Sequence, residues 1–467
     1  MNDLAAYRAE VAAKRVRFTP RGLTEIPALH PALTPLQRHG VEFGLRCGTS
    51  ALFYDTGLGK TLAELDWCRV VQAATGKPAP IVSPLGVTGQ HCDEAAKFGI
   101  AAQVVRDPAE IVAGVVPIFN YDILDKFSAV DFGGISLDES SILKSFTGAT
   151  TRMLIQRFAD VPFRLEASAT PAPNDYTEIG QHAEFLGVMR SSEMLSRFFI
   201  NDSMSAGKYR LKRPAVRDFW DWVASWSRAA RLPSDLGFPD DGYVLPPLEV
   251  IDHTIEADRT LGIVAEKDGQ VPLFRMPENS ATSIHREKRL TLSARADLSA
   301  AVVKCEVNEP WIVWVETDAE EEAMTARLPD FVAVRGSHLP SAKEKRLLAF
   351  SRGELAGIVT KPSIAGFGLN WQHCARQVFV GLSFSFEMYY QAIRRSWRFG
   401  QRRPVQVHVV GSDTERNIRA IVARKEADHN AMLAQMRAAM QRAAAGSLNA
   451  IESYHPQQEA RLPAWLN

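Results

Sequence analysis

Cysteine is scarce in this chain: Cys47, Cys68, Cys92, Cys305 and Cys374 are five among 467 residues, and no two form a C-x-x-C pair. Their scatter argues against a zinc site and against a disulfide framework, and it suits a reducing cytoplasm. Net charge is missing as well, with Lys plus Arg equal to Asp plus Glu at 54 each. No global field therefore draws a polyanion, and any nucleic-acid contact has to come from local patches. No apolar run approaches the ~20 residues that span a bilayer, and the opening Met1–Glu10 has no apolar signal core, so neither membrane insertion nor secretion is expected. Internal repeats and long low-complexity tracts are also lacking.

What the chain does have is apolar mass. Hydrophobic residues make up 46% of it, ample for buried cores, and the length suggests two to three domains. From residue 40 to 190, short apolar runs alternate with helical stretches. Ala51–Tyr54, Pro80–Ser83, Val115–Phe119, Ile135–Leu137 and Phe163–Ala167 read as buried parallel strands. Residues 191–290 change character: an aromatic and basic stretch runs from Lys208 through Trp220, Trp222 and Trp226, and a Pro/Gly/Asp-rich stretch follows from Pro233 to Pro247. That region reads as a connector or insertion. Alternation resumes with strands at Trp311–Val315, Phe331–Val334, Gly357–Thr360, Gln377–Val380 and Val405–Val410, and 414–467 reads as a helical extension with a polar, Pro-bearing tail. The expectation is an α/β protein with two parallel-sheet domains, at 1–190 and 291–413.

Tyr54-Asp55-Thr56-Gly57-Leu58-Gly59-Lys60-Thr61 is a glycine-rich turn between an apolar strand and a helical pattern. Backbone N–H groups at Thr56, Gly57 and Gly59 surround a phosphate in such a loop, Lys60 reaches the terminal phosphates, and the Thr61 hydroxyl ligates Mg²⁺. The positive end of the following helix adds to the cradle. Tyr54 stands where the usual loop opens with a small residue.

Ile135-Ser136-Leu137-Asp138-Glu139 is an apolar strand ending in adjacent carboxylates. ATP hydrolysis needs that pair: Asp138 to hold Mg²⁺, and Glu139 to orient or deprotonate the attacking water. Far downstream, Arg395 and Arg398 stand three apart and share a helix face. A planar, permanently charged guanidinium suits the charge that develops on a transferring phosphate. Arginines in a different domain from Lys60 and Glu139 require the two domains to close over ATP.

Hydroxyls and amides at strand ends can hold nucleic-acid phosphates and sugars, which makes Ser83, Asn120, Thr360 and Asn370 candidates. Lys208, Arg210, Lys212, Arg213 and Arg217 form a local basic stretch. Trp222 and Trp226, at i and i+4, fit a buried helical stripe better than a base-stacking platform. His253, His285 and His408 show no ligand spacing.

Taken together, these motifs resemble the Swi/Snf-type ATPases of helicase superfamily 2. Pro35-Leu36-Gln37 is similar to their adenine-reading segment, and Ser83-Pro84-Leu85 and Asn120-Tyr121 to regions that touch the nucleic-acid backbone. Asp138-Glu139-Ser140-Ser141 with Lys144, Ser168-Ala169-Thr170-Pro171 with Asn174, Gly366-Phe367-Gly368-Leu369-Asn370, and Gln391-Ala392-Ile393-Arg394-Arg395-Ser396-Trp397-Arg398-Phe399-Gly400-Gln401 follow in the family's order. The match spans about residues 33–416. The resemblance implies two RecA-like domains with ATP and Mg²⁺ between them and DNA, duplex or single-stranded, as partner. It implies further that Gln37, Gly368 and Gln391 line the nucleotide, and that Ser168 and Thr170 couple hydrolysis to movement. Ser141 departs from the family's histidine, and Arg394 stands where the family usually has glycine. Pro233–Leu248 and the tail from Tyr454 to Leu466 resemble features of helicase-like proteins of phages and prophages, which suggests phage or host replication or recombination partners. Two alternatives stay open on the residues alone: a nucleic-acid-binding or assembly protein with a vestigial ATPase, and an RNA-directed ATPase of the same superfamily.

Overall fold

The structure, a computed structural model, describes residues 18–127, 130–145, 148–201, 209–261, 281–365 and 369–444. Two parallel sheets organise these residues, as the alternating pattern predicts. The first is built from β1 (Thr49–Tyr54), β2 (Ile81–Ser83), β3 (Ala102–Val104), β4 (Val116–Asn120), β5 (Gly134–Asp138) and β6 (Phe163–Ala167). An antiparallel hairpin of β7 (Phe199–Asn201) and β8 (Tyr209–Leu211) follows, and β9 (Ser227–Ala230) returns to the first sheet. Its strand order is β3-β4-β2-β5-β6-β1-β9. The second sheet comprises β10 (Leu248–Ile255), β11 (Trp311–Trp314), β12 (Val332–Val334), β13 (Gly357–Thr360), β14 (Arg376–Phe379) and β15 (Val405–Ser412), in the order β10-β15-β14-β11-β13-β12.

The stretch expected as a connector gives an edge strand to each sheet. β9 pairs with β1, Ala51 opposite Ser227, and β10 pairs with β15 along its whole length, Leu248 opposite Val405 and Ile255 opposite Ser412. The helix Val216–Trp226 supplies first-domain core, and Trp220, Trp222 and Trp226 are buried in it as the helical stripe predicts.

Parallel strands put all their carboxyl ends on one side, where α/β proteins bind ligands. Tyr54, Ser83, Asn120, Asp138 and Ala167 end their strands on that edge of the first sheet. β1 is buried at all six positions and leads into the helix Lys60–Thr75, which buries Leu62, Leu65, Trp67, Val70 and Val71 under the sheet and stops at a left-handed Gly76.

The bulky Tyr54 is accommodated beneath the loop. Its ring is buried against the helix Pro35–Cys47, where its hydroxyl donates to Leu36 O at 3.5 Å. Gly40 makes the room, because a Cβ there would lie 2.7 Å from Tyr54 Oη.

The chain's last described element is the helix Arg416–Ala444, 29 residues and so about 44 Å long. Ile418 and Val422 pack in the second-domain core, whereas Met432, Met436, Ala439 and Met440 enter the first-domain core beside the tryptophans. One helix thus belongs to both domains. Among the described residues, no helix is long and apolar enough to cross a membrane.

Candidate nucleotide site between the two sheets

The turn after β1 has the geometry of an anion cradle. Gly57 and Gly59 adopt φ of 95° and 75°, a left-handed region that costs glycine nothing. Gly59 caps the helix Lys60–Thr75 with no side-chain hydrogen bond, so the positive helix end faces the loop without a capping side chain of its own. Lys60 Nζ bridges back to Tyr54 O at 2.8 Å and Asp55 O at 3.4 Å. Gln37 is fixed by a capping box, in which Thr34 N donates to Gln37 Oε1 at 2.8 Å and Gln37 N to Thr34 Oγ1 at 3.4 Å. Its amide is thereby aimed at the loop, and Nε2 donates to Gly59 O at 3.0 Å.

β5 delivers the carboxylates. Asp138 Oδ1 accepts the Glu139 N–H at 3.0 Å, and Tyr121 Oη donates to Asp138 O at 2.7 Å. Glu139 has φ of 53°, and no other non-glycine among the described residues has a positive φ. Such strain concentrates at functional positions. Burial first, then the Asp138 charge, push its carboxyl up to about 7, against the pull of Lys60 and Arg395. Glu139 Oε2 is a buried acceptor with no partner in the protein, a place that suits an ordered water.

Two side chains that sequence reasoning missed stand beside Asp138. Glu64, on the helix Lys60–Thr75, and His91, on the helix Thr88–Lys97, are both buried. His91 Nε2 lies 3.3 Å from Asp138 Oδ2. Burial and the Asp138 charge push the Glu64 carboxyl up to about 8. Burial lowers His91, but Asp138 and Glu64 outweigh it and raise the imidazole to about 9. Glu64 stands four residues after Lys60 among Leu62, Ala63 and Leu65, and a charge inside an apolar stripe was the available signal.

The second domain closes over this edge with the helix Phe386–Ile393, capped by Ser385 Oγ accepting from Met388 N at 3.3 Å. Arg394 Nη2 contacts Asp55 Oδ2 at 2.5 Å and Tyr390 Oη donates to Asp55 Oδ1 at 2.7 Å, all three being buried or nearly so. Lys144 pairs with Glu387 across the same interface. Phe399 presses on the loop itself, since a Cβ on Gly57 would lie 2.9 Å from Phe399 N. The residue that departs from the family pattern, Arg394, is therefore an interdomain ion-pair partner; Asp55 and Tyr390 were missed because their acidic and phenolic groups have no motif of their own.

Arg395 is buried and bonded to Gln391 O at 2.9 Å, Gln391 Oε1 at 3.1 Å and Leu369 O at 3.0 Å. Burial and Arg398 lower its pKa, while Glu139 and Asp138 act against them, so its guanidinium lies within their electrostatic reach. Arg398 donates to Leu369 O at 3.2 Å, and the acidic group that acts on it is Glu94 rather than Asp138 or Glu139. The structure thus gathers Gln37, Thr56, Gly57, Gly59, Lys60, Thr61, Asp138 and Glu139 at one sheet edge, with Arg395 within electrostatic reach from the other domain, while Gln391 is buried with its side-chain oxygen accepting from Arg395.

The nucleic-acid candidates divide. Ser83 and Thr360 are fully buried, and the Thr360 hydroxyl donates to Val334 O at 3.1 Å, so neither offers surface to a partner in this conformation. Lys212 Nζ instead donates to Ser196 O and Arg197 O at the end of the helix Ser191–Phe198. Arg210, Arg213 and Asn370 are exposed, and Asn120 is half-buried with its Oδ1 accepting from Asp122 N. Arg217 is half-buried and pairs with Asp221 at 3.8 Å. Ser168 Oγ accepts Thr170 N at 3.1 Å, leaving the buried Thr170 hydroxyl unpartnered. Lys208, Gly366, Phe367, Gly368 and the tail from Tyr454 lie outside the described residues.

Arg395 and Arg398, expected on one helix face, instead stand in the turn that follows the helix Phe386–Ile393. The class these features define is a two-sheet α/β protein with a phosphate-loop turn and paired carboxylates at one sheet edge and an arginine-bearing turn of the other domain against them. No family model matches the chain, and no curated protein matches it either. Among solved structures it is similar to one described as "Sulfolobus solfataricus SWI2/SNF2 ATPase core in complex with dsDNA", with a TM-score of 0.41 and 15% sequence identity over 92% of this chain and 99% of that one.

Proposed function

We propose that this chain is an ATP-dependent DNA translocase or helicase of the Swi/Snf type, in which closure of two domains over Mg·ATP drives movement on DNA. The observation that carries it is the meeting of Arg395 with the charges of Glu139 and Asp138 from opposite sheets, locked by the Asp55–Arg394 pair. The residues present fit the ligand: the left-handed glycines shape a turn a phosphate can enter, the helix end has no side-chain cap, and Glu139 Oε2 is a buried acceptor without a partner.

In this assignment Gln37 reads the base, with Gln391 on the opposing face, and the loop N–H groups with Lys60 hold phosphates. Thr61 and Asp138 hold the ion, whose chemistry is to neutralise charge on the phosphate oxygens. Glu139 orients the attacking water and accepts its proton; a carboxyl raised toward 7 is a stronger base than an ordinary one. Arg395 supplies fixed positive charge where the transferring group becomes negative, an effect worth roughly 10³–10⁵ in rate in phosphoryl-transfer enzymes. Arg398 supports Arg395 from the next turn through the shared Leu369 carbonyl. Asn174, in the expected coupling segment with Ser168 and Thr170, accepts from Lys425 of the long helix at 2.9 Å, a route by which the coupling segment feels domain movement. Exposed Arg210, Arg213 and Asn370 are the DNA contacts retained. The likeness of Pro233–Leu248 to phage and prophage helicase-like proteins supports a cytoplasmic replication or recombination setting.

The test is phosphate release with duplex DNA, single-stranded DNA, RNA or no nucleic acid. DNA is expected to stimulate turnover, and Glu139→Gln to abolish it while ATP still binds. Undiminished hydrolysis in that variant removes Glu139 as the base, and stimulation by RNA alone replaces DNA as the partner. Displacing a triplex strand without opening a duplex identifies a translocase.

A further inference from the structure

Glu64, His91 and Asp138 do more than crowd one another. Each has one polar atom fixed by a neighbour, which leaves a second that can act as a ligand. His91 Nδ1 lies 2.9 Å from Val87 O, a contact only its N–H can make, which leaves Nε2 as the ring nitrogen that faces Asp138 Oδ2. Ser136 Oγ donates to Glu64 Oε1 at 2.8 Å, and Glu64 Oε2 is buried without a partner. Glu139 N donates to Asp138 Oδ1, leaving Oδ2 toward the imidazole. Metal-binding side chains are held in just this way, with the second atom of each ligand tied to a carbonyl, a hydroxyl or an amide.

We propose that Glu64 Oε2, His91 Nε2 and Asp138 Oδ2 form a resident site for a divalent transition cation of the zinc or manganese class, set behind the nucleotide site. One ligand atom from each of the three side chains lies within 4.8 Å of the other two. Ligands at about 2.1 Å around a tetrahedral ion stand about 3.4 Å apart, so the cluster needs only a small contraction to close. Three protein ligands leave a fourth position for water. The imidazole nitrogen sets the metal class, because magnesium prefers an all-oxygen shell while zinc and manganese accept mixed nitrogen and oxygen donors. Burial adds to the case: all three side chains are buried, and Glu64 Oε2 has no hydrogen-bond partner among the described residues. Asp138 is the one residue shared with the proposed ATP chemistry, and metal uptake at the cluster requires no nucleotide.

The experiment uses tag-free, chelator-stripped, nucleotide-free protein dialysed against Zn²⁺ or Mn²⁺, with metal analysis, and Co²⁺ as an absorbance probe of the coordination. One ion per folded chain is expected. Glu64→Gln, which keeps the Ser136 bond, and His91→Gln are each expected to weaken binding at least about tenfold, with circular dichroism confirming the fold. Lys60→Ala is expected to bind the ion as the wild type does. No stoichiometric uptake, or unchanged affinity in both cluster variants, overturns the proposal. Equal loss in Lys60→Ala also overturns it, because the ion then belongs to the phosphate loop. DNA-stimulated hydrolysis without ion uptake leaves the ATPase assignment standing and removes this site; uptake without hydrolysis does the reverse.

Discussion

At the scale of single residues, the phosphate loop rests on a packing match between Tyr54 and Gly40. An alanine at position 40 drives its methyl against the Tyr54 hydroxyl, 2.7 Å away, with Leu52 Cδ2 at 3.2 Å leaving no room to yield. Gly40→Ala is expected to cost about 1–3 kcal/mol, and adding Tyr54→Phe to recover part of it; thermal melts of the three variants measure this. Asp55 and Arg394 make a second residue-scale case. A buried ion pair broken on one side typically costs about 3–5 kcal/mol, because the other charge is stranded. Arg394→Gln is therefore expected to cut ATP turnover at least tenfold while the loop still binds nucleotide, and Asp55→Asn in the same chain to restore part of the turnover. A double-mutant cycle on turnover and stability checks it; additive effects remove the pair as a coupling element. Motif residues such as Lys60 and Asp138 were legible because their chemistry is written in contiguous sequence. Glu64, His91 and Arg394 were not, since each acquires meaning only from a side chain brought close by the fold.

At the scale of elements, apolar strands announced themselves, the edge strand β12 among them, whereas the less apolar edges β3, β9 and β10 did not. Ten expected strands form within a residue or two of their expected limits, all of them apolar runs such as Phe163–Ala167 and Gly357–Thr360. β9, Ser-Arg-Ala-Ala, carries almost no strand propensity and is held by pairing with β1 and by the tryptophan helix. β10 alternates exposed and half-buried residues after a proline-rich stretch, so its pattern is that of an edge. The C-terminal helix was legible as helix but not as a bridge, because Ile418 and Met436 read alike until their different cores are known. Its His429 offers a pH test. Both ring nitrogens are buried without partners against Phe386 and Tyr390, and burial lowers the imidazole from 6.5 to about 4, with Asp55 opposing and Arg231 and Arg394 adding to the shift. The native protein then binds fewer protons than the unfolded chain between these values, so stability is full above pH 6.5 and falls as pH drops toward 4. The loss amounts to about 3 kcal/mol over that window. Melting temperatures at pH 7 and pH 5 are expected to differ by several degrees more in the wild type than in His429→Phe, and equal differences dismiss the histidine.

At the scale of the whole molecule, zero net charge bears on how the proposed DNA partner is held. With 54 charges of each sign, affinity has to come from the few cations left unpaired at the surface rather than from the summed field. Lys212 and Arg217 are engaged internally, so the exposed contribution of the β7–β8 hairpin region falls to Arg210 and Arg213 among its described residues. Each phosphate neutralised on duplex DNA adds about 0.9 to the slope of log affinity against log salt. If the chain acts on DNA as proposed, the wild-type slope is expected to be shallow, and Arg210→Ala with Arg213→Ala to flatten it by about 2. ATP hydrolysis without DNA is expected to be unchanged, since both residues lie far in sequence from the loop and from the turn that carries Arg395 and Arg398, and on a different element. Fluorescence anisotropy titrations across a salt series give the slope directly. A slope that the double variant leaves unchanged places the DNA elsewhere on the molecule, with the half-buried Asn120 at the end of β4 and the exposed Asn370 in the loop before β14 as the remaining candidates.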